Sequence, residues 1–397
     1  MTISRLTRLR VHTSLAPMTD PSRKVEFYRH DLGELELASI RETLSGVFLA
    51  TGPRVAQFES LLAAYLGVKH VVGVTSCTDG LLLVLRALDI GPGDEVITTP
   101  LTFIATANAV LYTGAKVVFS DVDPTTGLLD PSQVEAKISP RTKAIIVVHL
   151  YGQMADVRAL RDIADRHGIA LIEDSAHGVE MRRDGLVPGQ ISDAAVFSFY
   201  ATKTITCGDG GAIATNSDAL RQRLLRLRYH GISKEMASRY GGPYAHWDMV
   251  ELGYKAAMTD LDAALLIPQI ERLDKRRAAR EQCVRRYEAA LRDVPDVELI
   301  QCHGISAHHL FTVLVPAARR DQILVAFGSA GVGVTVNYRA VHLLSYYRST
   351  FGYAEGSYPH AENIGNRTIS LPLWPGLGHE DIDYVVAQLK RILVETR

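Results

Sequence analysis

Between Val71 and Thr215 the chain alternates short, almost wholly apolar runs with longer stretches in which apolar residues return at helical intervals. The runs begin near Val71, Glu95, Val117, Ala144, Ala170, Ala194 and Gly211. Runs of that length, apolar on both faces, predict strands of one sheet covered on both sides, with the intervening helices as the covers. Most pairs leave room for a helical crossover and so predict parallel strands. The last two lie too close for one, which leaves place for one antiparallel strand there.

Helical spacing covers 31–49, 55–66, 79–88, 131–138, 157–167 and 217–228. A loop-rich stretch follows from Tyr229 to Glu251, with Gly241-Gly242-Pro243 and Trp247. Gly253 to Ala264 then opens a long helix with a Thr259/Asp262 capping pattern, which runs to about Leu291 with a bend or break expected near Pro268. Its arginines Arg276, Arg277, Arg280, Arg285 and Arg286 are expected on a solvated face. Beyond it, strands near 310–314 and 333–338 and helices near 320–330 and 379–394 predict a smaller α/β domain. The division expected is a tail over 1–22, a large domain over 23–265 and a small one over 266–397. The tail is rich in arginine and lacks an apolar core of signal-peptide length; Met18 within it is a candidate natural start.

Three stretches carry candidate chemistry. In Phe197-Ser198-Phe199-Tyr200-Ala201-Thr202-Lys203 a strand delivers a lysine into a turn of small residues that ends at Gly210-Gly211. A desolvated lysine loses its proton near neutral pH and becomes the amine that forms Schiff bases; the ordinary alternative is a surface lysine. Leu171-Ile172-Glu173-Asp174 ends a strand on a carboxylate, which also suits a helix cap or turn. Thr75-Ser76-Cys77-Thr78-Asp79-Gly80 joins a strand to a helix, where free amides suit a phosphate and a hydroxyl suits plain N-capping. Together they suggest a pocket for pyridoxal 5'-phosphate (PLP), with Lys203 for the aldehyde, Asp174 for the ring nitrogen and the helix start for the phosphate. His149 to Gln153, at another strand end, is expected to line the same pocket.

Composition narrows the class. With 43 basic against 44 acidic residues the formal charge is −1, so nothing favours binding to nucleic acid. No apolar run is long enough to span a bilayer. Cys77, Cys207, Cys283 and Cys302 show neither CxxC pairs nor zinc-ligand spacing, so no metal site is expected and a reducing cytoplasm is the default.

In these motifs, from Gly52 to the C-terminus, the sequence resembles the DegT/StrS-type sugar-nucleotide aminotransferases of PLP fold type I. The lysine, aspartate and phosphate segments stand in that family's order and at similar separations. The resemblance implies an α/β large domain with a mostly parallel seven-stranded sheet and a smaller C-terminal α/β domain. It implies Lys203 and Asp174 as catalytic residues, with Cys77, Thr78, Ser198 and Lys255 around the phosphate and Phe103 over the ring. His177 has two readings, a neighbour of the ring or its phenolate oxygen and a satisfied core histidine. Tyr338, His342 and His309 fall on the substrate side. Where this chain has Cys77 the family usually has Gly, and where it has Lys255 the family usually has Asn.

The resemblance further implies a homodimer with shared sites, in which Lys255 reaches the neighbouring subunit's phosphate. The expected substrates are a nucleotide-linked keto sugar and an amino donor, glutamate by expectation. The segments Ala257-Met258-Thr259-Asp260 and Asn337 to His342 look most like enzymes aminating C4 of a 4-keto-6-deoxy sugar. A C3 sugar or keto-cyclitol aminotransferase, and a PLP-binding regulator without turnover, are the alternatives.

Overall fold

The computed structural model describes residues 23–233 and 246–397. The expected tail over 1–22 and the Gly241-Gly242-Pro243 turn lie outside the described residues. Two helices, α1 (Glu34–Leu44) and α2 (Pro53–Leu66), lead into β1 (His70–Val74), α3 (Cys77–Ala87), β2 (Glu95–Thr98), α4 (Ile104–Tyr112) and β3 (Lys116–Phe119). The single-turn α5 (Pro131–Val134), β4 (Thr142–Val148), α6 (Val157–His167), β5 (Ala170–Asp174), β6 (Ala194–Ser198), β7 (Gly211–Thr215) and α7 (Asp218–Leu227) complete this half. The seven strands form one sheet in the order β1-β7-β6-β5-β4-β2-β3. Only β7 runs against its neighbours, pairing antiparallel with both β1 and β6. The tight Ser198 to Gly211 connection leaves no length for a crossover helix, so the reversal follows from chain length.

The strands of this sheet carry apolar residues of three buried clusters, one of which packs Ile97, Ile145, Val147 and Leu171 against α6. Val72, Val74, Val196 and Ile213 face α3, α4 and α7, while Phe197, Ala212 and Ala214 face α2 and the helix that follows residue 259. Burial on both faces accounts for the unbroken apolar runs.

The remaining elements are α8 (Asp260–Ile270), α9 (Leu273–Leu291), β8 (Glu298–Leu299), β9 (Phe311–Leu314), α10 (Arg320–Ser329), α11 (Ser345–Phe351), α12 (Pro359–Arg367), β10 (Thr368–Leu371) and α13 (His379–Glu395). A three-stranded antiparallel sheet, β10-β9-β8, packs with α9, α10 and α13 around a separate core. Val25 belongs to that core and bridges to Val332. The expected boundary at 265/266 falls inside α8.

Two expectations change and one holds. The strand near 333–338 does not form: that stretch makes only single bridges, Thr335 to Ser370 with Val332 to Val25 just before it, because residues 25–27 cross it, and a Cβ on Gly333 would sit 2.6 Å from the Phe27 nitrogen. The break in the long helix comes near Pro268 as expected, with α8 ending at Ile270 and α9 beginning at Leu273. The arginine face is not uniformly solvated. Arg276 and Arg280 are only 5% and 2% exposed, and both turn inward.

Candidate active site

Because β1 runs parallel to β5 and β6, the carboxyl ends of all three strands reach the same edge of the sheet. That edge is where ligands gather in open α/β sheets. Ser76 and Cys77 follow β1, Asp174 closes β5 and Ser198 closes β6. Val74 and Ser198 both stand opposite Gly211 across β7. A Cβ at Gly211 would meet the Ser76 carbonyl carbon at 2.5 Å and the Cys77 nitrogen at 2.7 Å, so glycine is what lets the turn into α3 lie over the strand.

In that turn Ser76 Oγ accepts from the Asp79 N–H at 3.0 Å, and the Ser76 carbonyl accepts from the Gly80 N–H at 3.0 Å. The helical ladder thus begins at Gly80, and the Cys77 and Thr78 N–H groups have no intrahelical acceptor. The Asp79 carboxylate is turned back onto Thr75 Oγ1 at 2.6 Å and Ser76 Oγ at 2.8 Å. A cavity of about 620 Å³ opens beside this helix start, bordered by Cys77, Thr78, Phe103, Asp174, Ser198 and Lys203. Its size suits a cofactor together with part of a substrate.

Asp174 is buried, and each oxygen of its carboxylate accepts a hydrogen bond while keeping further acceptor capacity. Thr106 Oγ1 donates to Oδ2 at 2.7 Å, the Ala176 N–H donates to Oδ1 at 3.1 Å, and Cys77 Sγ lies 3.8 Å from Oδ1. Thr102 Oγ1 is 2.9 Å from Thr106 Oγ1; since the Thr106 proton is given to Asp174, the Thr102 hydroxyl is the donor of that pair. Burial pushes the Asp174 pKa up, opposed by the Thr106 and Ala176 hydrogen bonds. A cation against this carboxylate would reverse that shift, which is the demand a protonated pyridine ring meets. Lys203 borders the cavity from the other side, and burial lowers its pKa to about 8, opposed by Cys77 and Asp174. Burial also pushes the Cys77 thiol well up, with Asp174 adding to the rise.

His177 is held as one tautomer. Its Nδ1 accepts from the Tyr151 N–H at 2.9 Å, so the ring proton sits on Nε2 and is donated to Tyr338 Oη at 3.0 Å. Burial keeps His177 neutral, its pKa well below the usual range. The Tyr338 phenol, having accepted from His177, keeps its own proton to donate, and Tyr338 borders the cavity next to Asn337. Phe103, at the N-terminus of α4, is 54% exposed at the mouth, its ring 5.8 Å from that of Tyr338.

Other candidates lie elsewhere. His309 packs behind His177, ring centroids 4.7 Å apart, away from the large cavity. His342 is fully buried and bonded to Glu362 at 2.9 Å; its ring faces Tyr358 in an aromatic cluster and does not border the cavity. His149 also turns away. It donates from Nε2 to Glu173 at 2.6 Å because Nδ1 accepts from the Ala155 N–H, so this loop backs the pocket through Tyr151 instead of lining it. Lys255 is exposed, its ammonium 4.6 Å from the Tyr229 ring centroid and outside the cavity of its own chain. Sequence reasoning missed Thr102 and Thr106. Thr106 lies in the first turn of α4 and Thr102 just before its N-cap, so no helical spacing in the sequence marked the pair.

Residues 30–390 match the model of the DegT/DnrJ/EryC1/StrS aminotransferase family. The chain belongs to that family. Its members are PLP-dependent aminotransferases, and this one has the residues to hold PLP. A curated member, the spore coat polysaccharide biosynthesis protein SpsC of Bacillus subtilis, is 40% identical over 370 residues, 91% of this chain and 95% of SpsC. Among solved members, the putative sugar aminotransferase Spr1654 from Streptococcus pneumoniae in its PMP-form superposes with a TM-score of 0.89 at 27% identity, covering 94% of this chain and all of that one. DesV of S. venezuelae, solved in complex with a ketimine intermediate, gives 0.83 at 35% identity over 90% of this chain and 93% of its own. Among the described residues no helix of this family member is long and apolar enough to cross a membrane.

Proposed function

We propose that this aminotransferase moves an amino group from glutamate to a keto sugar carried on a nucleotide, at C4 of a 4-keto-6-deoxyhexose. The observation that carries the reading is the meeting of Lys203, Asp174 and the unpaired amides of α3 around one cavity. Bound there, PLP would supply a carbonyl for amines and a ring that takes up electron density. The protein does the rest. Asp174, held by Thr106 and the Ala176 amide, keeps a proton on the ring nitrogen. Lys203, with its lowered pKa, would hold the cofactor through its Nζ and would be the base that moves a proton on the bound donor.

The Cys77 and Thr78 amides, with the Thr78 and Ser198 hydroxyls, would hold the phosphate. Phe103 would cover the ring. Tyr338, its proton left free by His177, donates to an oxygen of the bound substrate. The kinship with SpsC and Spr1654 supports a sugar acceptor, and the Ala257 to Asp260 and Asn337 to His342 segments favour C4.

A homodimer completes the site, with Lys255 of one subunit near the phosphate held by the other. Phe103, Tyr200, Met249, Val250 and Leu252 leave 52–74% of their surfaces exposed around the mouth and the approach to Lys255, an apolar area that a second subunit would cover. The enzyme is assigned to the cytoplasm, the default that its few, widely spaced cysteines set. The test is incubation with PLP, glutamate and a panel of nucleotide-linked keto sugars, with products read by mass and NMR. The expected product carries nitrogen at C4; nitrogen at C3 refutes the regiochemistry, and turnover only with cyclitol ketones refutes the sugar assignment. Borohydride should fix the cofactor on Lys203, and label on any other lysine removes the central claim.

A further inference from the structure

Behind the lysine lies a second, much smaller cavity of about 30 Å³, bordered by Tyr28, Lys203, Thr204, Arg276, Arg280 and His309 among others. Lys203 and Thr202 border both cavities, so the two are neighbours across the lysine turn. Arg280 enters from α9 and is 2% exposed. Its Nε donates to the Ala307 carbonyl at 2.9 Å and its Nη2 to Glu180 Oε1 at 2.7 Å. Its Nη1 is buried with no hydrogen-bond partner among the described residues, and the same holds for the Tyr28 hydroxyl. Two orphaned polar atoms on residues bordering one cavity are unusual, since buried polar groups are nearly always satisfied by protein, water or ligand.

The charge of the wall says what fits. Arg29, Lys203, Arg276 and Arg280 border the cavity, with Asp31 the one carboxylate among its described borders; Asp31 is taken by Arg276 Nε at 2.8 Å, and Glu180, off the border, by Arg280 Nη2 at 2.7 Å. A guanidinium does not lose its proton, so Nη1 offers donors only, and a phenol next to cations donates as well. Two donors on a positive wall match the two oxygens of a carboxylate. The volume exceeds what one water needs and falls far short of a sugar or a nucleotide.

We propose that this cavity seats the distal carboxylate of the amino donor, held by Arg280 Nη1 and Tyr28 Oη, with the donor's amine passing Lys203 into the large cavity. The inference rests on the reading of the enzyme as an aminotransferase with an amino-acid donor. It makes the donor a dicarboxylic amino acid for a reason internal to this chain.

Glutarate, a dicarboxylate with no amine to transfer, is the probe, titrated calorimetrically into the PLP-loaded enzyme at constant ionic strength. Arg280→Gln strips Glu180 of its partner and is unsafe for folding. Tyr28→Phe is the informative variant, because the hydroxyl it removes has no partner among the described residues and its loss should leave the fold intact. Losing one hydrogen bond to a charged group should weaken glutarate by about tenfold or more. Equal affinity for glutarate in Tyr28→Phe and wild type overturns the seat, as does the absence of any saturable glutarate binding, which is the result if the cavity holds only water. Formate separates the sources of the carboxylate: binding as tight as that of glutarate makes this a site for free small anions and overturns the donor assignment. Release of 2-oxoglutarate from glutamate by the wild type is measured separately. Release together with unchanged glutarate affinity in the variant defeats this inference alone, whereas no release with any amino donor defeats the reading on which it rests.

Discussion

Asp174 shows how much of a site is settled by neighbours that carry no charge. A buried carboxylate is costly unless its lone pairs are occupied, and here the Thr106 hydroxyl and the Ala176 amide donate to it, one to each oxygen. Thr106→Val keeps the shape and removes the donor to Oδ2. We expect turnover to fall by roughly ten- to a hundredfold, the worth of a hydrogen bond to a charged group. Thr106→Ser should restore most of it, and the pH dependence of the bound cofactor's absorbance should move with the loss. Unchanged absorbance in Thr106→Val would leave Thr106 a packing residue. Lys203 gives a prediction with a sign. Its folded pKa is lowered from 10.5 to about 8, so between those values the unfolded chain binds more protons than the cofactor-free folded enzyme. The lysine's contribution to stability is therefore present above the unfolded value and is lost as pH falls through 8. Denaturation of the cofactor-free enzyme from pH 7 to 10.5 should show wild type gaining on Lys203→Met across that window; parallel curves would mean that the amine is solvated.

At the scale of elements, the turn between β1 and α3 depends on a residue in another strand. Gly211→Ala places a methyl against the backbone of Ser76 and Cys77, which, unlike a side-chain tip, cannot rotate aside. Overpacking of this kind costs about 1–3 kcal/mol. It should appear as a PLP dissociation constant raised by about tenfold or more, with the sheet intact by circular dichroism; wild-type affinity would show that the turn tolerates the shift. The same elements show what the sequence made legible. Apolar runs buried on both faces read directly as β1 to β7, and the short link after Ser198 marked the reversal at β7. Asp174 and Lys203 were readable because they end or follow such runs. β8, β10, α11 and α12 were not, being too short for a periodic signal and held by tertiary contacts. His342 and the arginines of α9 misled for one physical reason: a charged or polar side chain turns inward when a buried partner waits for it, Glu362 for His342, Glu180 for Arg280 and Gln269 for Arg276. Sequence spacing does not show that partner.

At the scale of the molecule, the cavity carries donors for a phosphate but, within one chain, no lysine or arginine other than the buried Lys203 among its described borders. Lys255 is exposed and lies over Tyr229, close to Met249, Val250 and Leu252 in the chain. A dianionic phosphate favours a nearby ammonium, and a two-fold axis passing the mouth would present the partner subunit with this segment. Lys203→Ala and Lys255→Glu subunits should each be inactive alone. Mixed in equal amounts and allowed to exchange, half of the dimers become hybrids, and each hybrid holds one pocket free of both lesions. Activity should then return to about a quarter of wild type, the fraction set by random pairing in a two-fold dimer. If Lys255 acts within its own subunit, every pocket keeps one lesion. Hybrids demonstrated by native mass spectrometry but without recovered activity would therefore place Lys255 outside the shared site.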